Sequence, residues 1–418
     1  MPFRSALSGI NAASEDLKVI GNNIANASTT GFKESRAEFA DVYAATDGAT
    51  SNAIGAGVRL AEVKQQFGQG NIGFTDNKLD MAINGRGFFI LDDNGSRVYT
   101  RAGSFQVDRE GFVVNSGGNK LVVNNADENG NVTGSVGPLH LDNSNIDPRA
   151  TNKLDVGVNL DSSQVRPSTQ PFDPEVPNSF NHSTSLTIYD SLGASHLATM
   201  YYVKTDVPNQ WETHMFVDGK DARGGTAPPY ASDILAFDGA GALASINGTP
   251  VPPGVIGYEN IVLDSGADPL NIKINLLSNT PTTQFGSRFN VSALTQNGYA
   301  SGRLSGFDID DTGVIKARYT NGQTRVLGQV SLADFANVNG LQQLGETSWA
   351  ETFASGAALV GTAGSGSLGV LQSGALEGSN VNLTGQLVNM IEAQRNFQAN
   401  AQVITTADTI TQTIINIR

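Results

Sequence analysis

Histidines and carboxylates are where chemistry is expected first, and in this sequence neither is grouped for it. The four histidines, His140, His182, His196 and His214, lack ligand spacing and have no cysteine to work with, since the chain contains none. Surface or packing roles are the expectation for all four. Asp308, Asp310 and Gly313 open like a calcium-binding loop, but Tyr319 holds the twelfth position, where a bidentate glutamate belongs. A hairpin turn fits better. Gly364, Gly366 and Gly369 satisfy the spacing of a dinucleotide fingerprint, yet no strand–helix–strand unit surrounds them and the next helical pattern starts too late. Adjacent acids such as Asp92-Asp93 and Asp310-Asp311 fall in turns. Acid pairs in a cleft are assembled by the fold rather than by spacing, and nothing in the sequence points to one. The expectation is a protein that is not an enzyme, with no catalytic residue, cofactor or metal.

The apolar residues do carry a pattern, and it is one for assembly. Leu383, Met390, Phe397 and Ile404 recur every seven residues, with Leu387, Ala401 and Ile415 in companion positions. Leu383 to Arg418 therefore reads as one long helix with a coiled-coil seam. Val403, Ala407, Ile410, Ile414 and Ile417 fall on roughly the opposite face when each residue is turned by about 100°. A helix apolar on two sides needs neighbours. At the other end Phe3, Ile10, Leu17 and Ile24 repeat at seven, with Leu7 between them. One molecule can close the two patterns into a two-helix coiled coil; two apolar faces argue instead for packing against further copies. Gln394, Asp408, Ser14 and Gly21 sit at seam positions, where polar or small residues lower stability and fix register.

Short motifs flank these helices. Asn22-Asn23-Ile24-Ala25-Asn26 and Ser28-Thr29-Thr30-Gly31-Phe32-Lys33 resemble the amino-terminal signature of the bacterial flagellar rod and hook proteins. Gly374-Ala375-Leu376-Glu377-Gly378-Ser379-Asn380-Val381 and the run Met390 to Ala401, with Gln394 and Arg395, are similar to the carboxy-terminal signature. Between them, Gly68-Gln69-Gly70-Asn71 and Leu79 to Phe89 resemble the first hairpin of that family's inner domain. Arg325 to Val330 and Gly361 to Gly366 are similar to its hook branch; the likeness fades from about Leu154 to Gln284. The resemblance implies a structural subunit of a tubular, flexible universal joint that passes torque from rod to filament. It also implies self-assembly into a helical polymer and contact with the distal rod, the hook–filament junction, the hook cap and the flagellar type III export apparatus. Location would be the extracellular hook, reached without a cleaved signal peptide. A distal rod subunit is the alternative within the family, and a secreted β-rich adhesin or glycan-active protein the alternative outside it.

Composition agrees with this direction. A net charge of −14 over 418 residues argues against nucleic-acid or anionic-membrane partners. Without cysteine the fold needs no disulfide, and an oxidising exterior does it no harm. No apolar run has the length of a signal peptide or a membrane span.

Taken in order, the first helix should end near Asn26, where Asn, Ser and Thr accumulate. Residues 27–70 read as a linker, with Phe32 to Tyr43 able to form a short helix or strand and Thr46 to Asn52 without period. From Asn71 the period becomes two and turns arrive every eight to twelve residues, as in antiparallel sheet. Pro167, Pro171, Pro174 and Pro177 mark a looser stretch, and a second all-β region follows, with Ile261-Val262-Leu263 and Ile272-Lys273-Ile274 as late strands. The expected fold is mainly β with α-helical termini: two nested all-β domains plus a coiled-coil core. Its expected parts are a terminal-helix core at 1–26 and 375–418 and linkers at 27–70 and 357–374. An inner β domain then takes 71–150 and 288–356, and an inserted outer β domain takes 151–287.

Overall fold

The computed structural model describes residues 2–42, 55–127, 130–141 and 144–416. Helix α1 spans Pro2–Ala25 and α2 spans Leu383–Asn416, and among the described residues between them the regular structure is strand with two short 3₁₀ turns. Thr46 to Asn52, together with Ile417 and Arg418, lie outside the described residues. The chain divides into two units, one of residues 1–143, 306–318 and 324–418, the other of 144–305 and 319–323.

The first unit is built around the strand Thr324–Asp334, long enough at 11 residues to pair with four others. It meets Val314–Tyr319, Lys120–Ala126, Phe88–Asp93 and Leu359–Thr362, all antiparallel. Phe88–Asp93 turns at Asn94-Gly95 into Ser96–Thr100, so that Ile90 faces Tyr99 and Leu91 faces Val98. The apolar run Phe88-Phe89-Ile90-Leu91 does not alternate with polar residues because both faces of this strand are covered. Phe89 and Leu91 enter a core with Val98, Leu121, Val330, Leu332 and Leu371. Phe88 and Ile90 enter a second core with Tyr99, Phe335 and Trp349.

The inserted unit carries a seven-stranded sheet, with Gln210–Val217 between Ser195–Lys204 and Asp233–Phe237, and a four-stranded sheet ordered Val255–Ile261, Leu270–Asn275, Lys153–Asn159, Asn290–Gln296. Strict alternation in Leu270–Asn275 sends Leu270, Ile272 and Ile274 inward, where they join Met200, Tyr202, Trp211, Met215 and Tyr258 in one core. That is the signature of sheets sharing an apolar layer.

Several expected boundaries move. Residues 27–70 are not a bare linker: Ser35–Asp41 and Val58–Gln65 form an antiparallel pair. Residues 357–374 hold the strands Leu359–Thr362 and Val370–Ser373, the latter paired with Met81–Asn84. The segment from residue 375 begins as the strand Ala375–Glu377, paired with Ile72–Phe74, and becomes helix only at Leu383. The chain returns to the first unit at residue 306 rather than 288, because Asn290–Gln296 pairs with Lys153–Asn159 inside the inserted unit. That unit likewise begins at 144, where Ile146 already bridges Gly302, rather than at 151. The strand expected at Ile261-Val262-Leu263 ends at Ile261. Asp310 caps its own turn, accepting from the Thr312 and Val314 amides at 3.1 and 2.9 Å.

Candidate assembly interface at the paired termini

Helices α1 and α2 lie side by side and antiparallel. Asn23 Nδ2 donates to Gln386 Oε1 at 3.2 Å. Fourteen residues back along α1, Gly9 faces Asn400, fourteen residues forward along α2. The approach at Gly9 is close enough that a Cβ there would lie 2.5 Å from Asn400 Oδ1. Asp16 falls beside Glu392 in the same register; burial first, and that neighbouring carboxylate second, push its pKa up. Carried on, the register sets Pro2 opposite residue 407 or so. The last turns of α2, about 13 Å of helix at 1.5 Å per residue, run past the start of α1.

Apart from Ile20, the side chains that the two helices bury fully are small or polar. Ala6, Ala13, Ile20 and Asn23 are the buried residues of α1, and Gln386 and Ala393 those of α2. None of the heptad residues is fully buried in the single chain. Phe3 and Leu7 are exposed on α1, as are Leu383, Leu387, Phe397, Ile410, Ile414 and Ile415 on α2, with Ile415 two-thirds accessible. Ile10, Leu17, Ile24, Met390, Ala401 and Ile404 are half-buried. Val388, Ile391 and Val403 add to the exposed apolar surface of α2.

Where the helices meet the sheets, the signature residues form a polar lock. Asn23 exchanges two hydrogen bonds with the backbone of Ser35, at 2.7 and 2.8 Å. Asn380 Oδ1 accepts from the Glu34 amide at 2.7 Å, and its Nδ2 donates to the Gln66 and Gly68 carbonyls at 2.8 and 3.2 Å. Asn26 closes α1 by donating to the Asn22 carbonyl at 3.0 Å and accepting the Thr29 hydroxyl at 3.1 Å. Gly31, at φ +71°, passes so close to Ala102 that a Cβ would sit 2.5 Å from its nitrogen. Phe32 is buried next to it.

At the centre of the lock is Glu377, whose side chain is wholly buried. Its carboxylate accepts from Lys33 Nζ at 2.7 Å, the Gly70 amide at 2.8 Å and Arg101 Nη1 at 3.2 Å. Lys33 is buried as well; burial lowers its pKa, and Glu377 works against that shift. Arg101 also donates to the Gly85 carbonyl at 2.7 Å, which ties the lock to the hairpin strands.

The ends of the chain match families that cover the same elements. Residues 3–33 match the family described as Flagella basal body rod protein, and 372–417 that described as Flagellar basal body rod FlgEFG protein C-terminal. Residues 82–159 match the Flagellar hook protein FlgE/F/G D1 domain and 159–299 the Flagellar basal body protein FlaE D2 domain. The flagellar hook protein FlgE of Salmonella typhimurium is 39% identical over 422 residues, all of both chains. This chain belongs to the flagellar hook protein family. The Escherichia coli hook protein is 38% identical across both full lengths, and that of Borreliella burgdorferi 31% identical over 99% of this chain and 98% of its own. A crystal structure of the Helicobacter pylori hook protein FlgE2 shares the fold, with a TM-score of 0.54 at 14% identity over 73% of this chain and all of that one.

In this hook-family chain the signature residues divide by role. Asn23, Asn26, Gly31, Phe32 and Asn380 hold the lock together, whereas Asn22, Gln394 and Arg395 stand exposed, Gln394 and Arg395 on α2 away from it. Lys33, Arg101 and Glu377 were not legible as a site. Lys33 and Glu377 are 344 residues apart and belong to no periodic pattern. The intrachain seam of Ala6, Ala13 and Ile20 did leave a signal: it repeats at seven, three positions after Phe3, Ile10 and Leu17.

Among the described residues no group of His, Asp or Glu is arranged to hold a metal ion. No described helix is long and apolar enough to cross a membrane.

Proposed function

We propose that this chain is the repeating subunit of the flagellar hook and polymerises through its terminal helices into a tube, with the strand-built units carried on that core. One observation carries the reading: large apolar side chains of both helices, among them Phe3, Leu7, Leu387, Ile391, Ile410 and Ile414, are exposed in the single chain although they follow the pattern of a packed helix. Exposed apolar surface on this scale marks an interaction site. A seven-residue repeat on the free faces suits further helices of the same kind. Copies joined head to tail through two different faces build a helical polymer. The mechanical part of the proposal is a flexible joint that transmits torque. A register-fixed helical core resists separation, and the two units, each with its own apolar core, can shift against those of neighbouring copies. The chain's place in the extracellular hook, and its contacts with rod, junction, cap and export machinery, belong to the same proposal and rest on family membership.

Phe397 tests it. Phe397 is 38% exposed in the single chain and belongs to none of the sheet cores, so Phe397→Asp should leave the monomer's melting temperature within about 2 °C of wild type. In a polymer the buried, unpaired carboxylate would cost several kcal/mol at every subunit, on the order of 3–5 each. Wild-type chain should form tubes visible by electron microscopy and sediment as a polymer, and the variant should remain a folded monomer. Tubes of normal yield from Phe397→Asp would refute a helical core.

A further inference from the structure

The inserted unit holds a histidine whose neighbours dictate its charge. His196 lies at the start of the strand Ser195–Lys204, with its side chain 9% exposed. Its Nδ1 is 2.6 Å from Asp218 Oδ2 and its Nε2 is 3.1 Å from Asp190 Oδ2. A carboxylate only accepts hydrogen bonds. Both ring nitrogens must therefore carry protons, so the geometry is that of an imidazolium between two carboxylates.

Those carboxylates belong to different parts of the unit. Asp190, wholly buried, sits in the turn after His182–Tyr189 and also accepts from the Ala194 amide at 2.8 Å and the Ser265 hydroxyl at 2.7 Å. Ser265 lies in the loop between Val255–Ile261 and Leu270–Asn275, in the other sheet. The same loop is fastened where the Asp268 amide donates to Ser191 Oγ at 3.0 Å and where Asp264 meets Lys220 Nζ at 2.5 Å. Asp218 occupies the turn between Gln210–Val217 and Lys220–Asp221, and its Oδ1 takes the Leu197 amide at 2.8 Å. Two turns of one sheet meet at the ring, and a loop of the other sheet joins them through Asp190, with Asp190, Asp218, Lys220 and Asp264 as the charges nearby.

We propose that His196 is a pH-sensitive clamp: protonated, it ties the turn at Asp190, to which the loop at residues 262–269 is fastened through Ser265, to the turn at Asp218, and on losing its proton as pH rises it lets the two turns part. Neutral imidazole donates from one nitrogen only, so one aspartate loses its bond and two carboxylates are left without the cation between them. Burial alone would lower the pKa of His196, but the hydrogen bonds to Asp218 and Asp190 outweigh it and hold the value above 6.5. The clamp's contribution is thus complete below pH 6.5 and fades as pH rises through the folded-state value. The other histidines of the unit act at the acid end. Burial lowers the pKa of His182, and that of His214 to about 4. Lys204, whose pKa burial also lowers, opposes the clamp's trend in alkali.

Two measurements on the full-length monomer test this. In a ¹⁵N-labelled sample both ring nitrogens of His196 should show the imidazolium shift at pH 6 and titrate with a midpoint above 6.5; a neutral tautomer at pH 6 would overturn the proposal. The second follows Trp211 fluorescence in a Trp349→Phe background, so that the inserted unit is observed alone. Its melting temperature should fall by about 3–5 °C more between pH 6.5 and 9 with His196 than with His196→Gln, for each unit of pKa elevation. Equal slopes in the two proteins would refute the clamp. If the Gln variant does not fold, the ring-nitrogen titration of wild type decides alone: a midpoint at or below 6.5 rejects it.

Discussion

Glu377 receives two cations and an amide with no access to water, and in that setting the loss of one charge outweighs the loss of one bond. Glu377→Gln keeps the shape but leaves Lys33 and Arg101 buried without a counter-charge. Breaking such a pair from one side costs about 3–5 kcal/mol, whereas replacing the whole group with apolar residues of similar volume is close to neutral. The substitution should therefore lower the melting temperature of the first unit sharply, and Lys33→Met in the same chain should recover part of the loss. A Glu377→Gln melt indistinguishable from wild type would mean that water reaches the lock. None of this chemistry could be read from residue spacing. The signature Gly31-Phe32-Lys33 and the Ala375-Leu376-Glu377 strand are each legible as motifs, but their convergence is a product of the fold.

At the scale of the element, the two helices were the most legible part of the chain, because a seven-residue repeat survives any tertiary context. What the repeat did not disclose is which of its faces the chain uses on itself. Large apolar residues dominate a periodicity argument, and alanine, a strong helix former everywhere, signals a contact only weakly. The helices approach closely at Gly9, where a Cβ would lie 2.5 Å from Asn400 Oδ1, and Ala6 and Ala13 are buried on the same side of α1. Ala13→Leu should consequently disturb the pair within a single molecule, since overpacking costs about 1–3 kcal/mol. Expected is a loss of helical circular dichroism in the dilute monomer. Phe3→Ser, on an exposed face, should leave that signal unchanged while weakening assembly. Equal signals from Ala13→Leu and wild type would mean that the pair tolerates separation and that the small residues are incidental.

For the whole molecule, the insertion was visible as a change of composition, yet its limits were not. Asn290–Gln296 reads like any short strand, and only its pairing with Lys153–Asn159 assigns it to the inserted unit. Non-local pairing of this kind leaves no trace in local pattern. The corrected limits also sharpen what excision should do. The two cores share no residue: the one around Phe89 and Leu332 draws only on the first unit, the one around Trp211 and Ile272 only on the inserted one. Near its limits the inserted unit closes on itself in an isolated bridge, where the Ile146 amide donates to the Gly302 carbonyl at 2.9 Å. A chain lacking residues 144–305 should keep the melting temperature of the first unit, because domains with separate cores fold as separate units. On the proposed reading it should still polymerise, since both helices and the lock remain, and the tubes should differ in curvature or stiffness, which electron microscopy would show. Failure to fold would mean that the first unit depends on the insertion despite its separate core. A folded chain that never assembles would move the decisive contacts from the helices to the inserted unit.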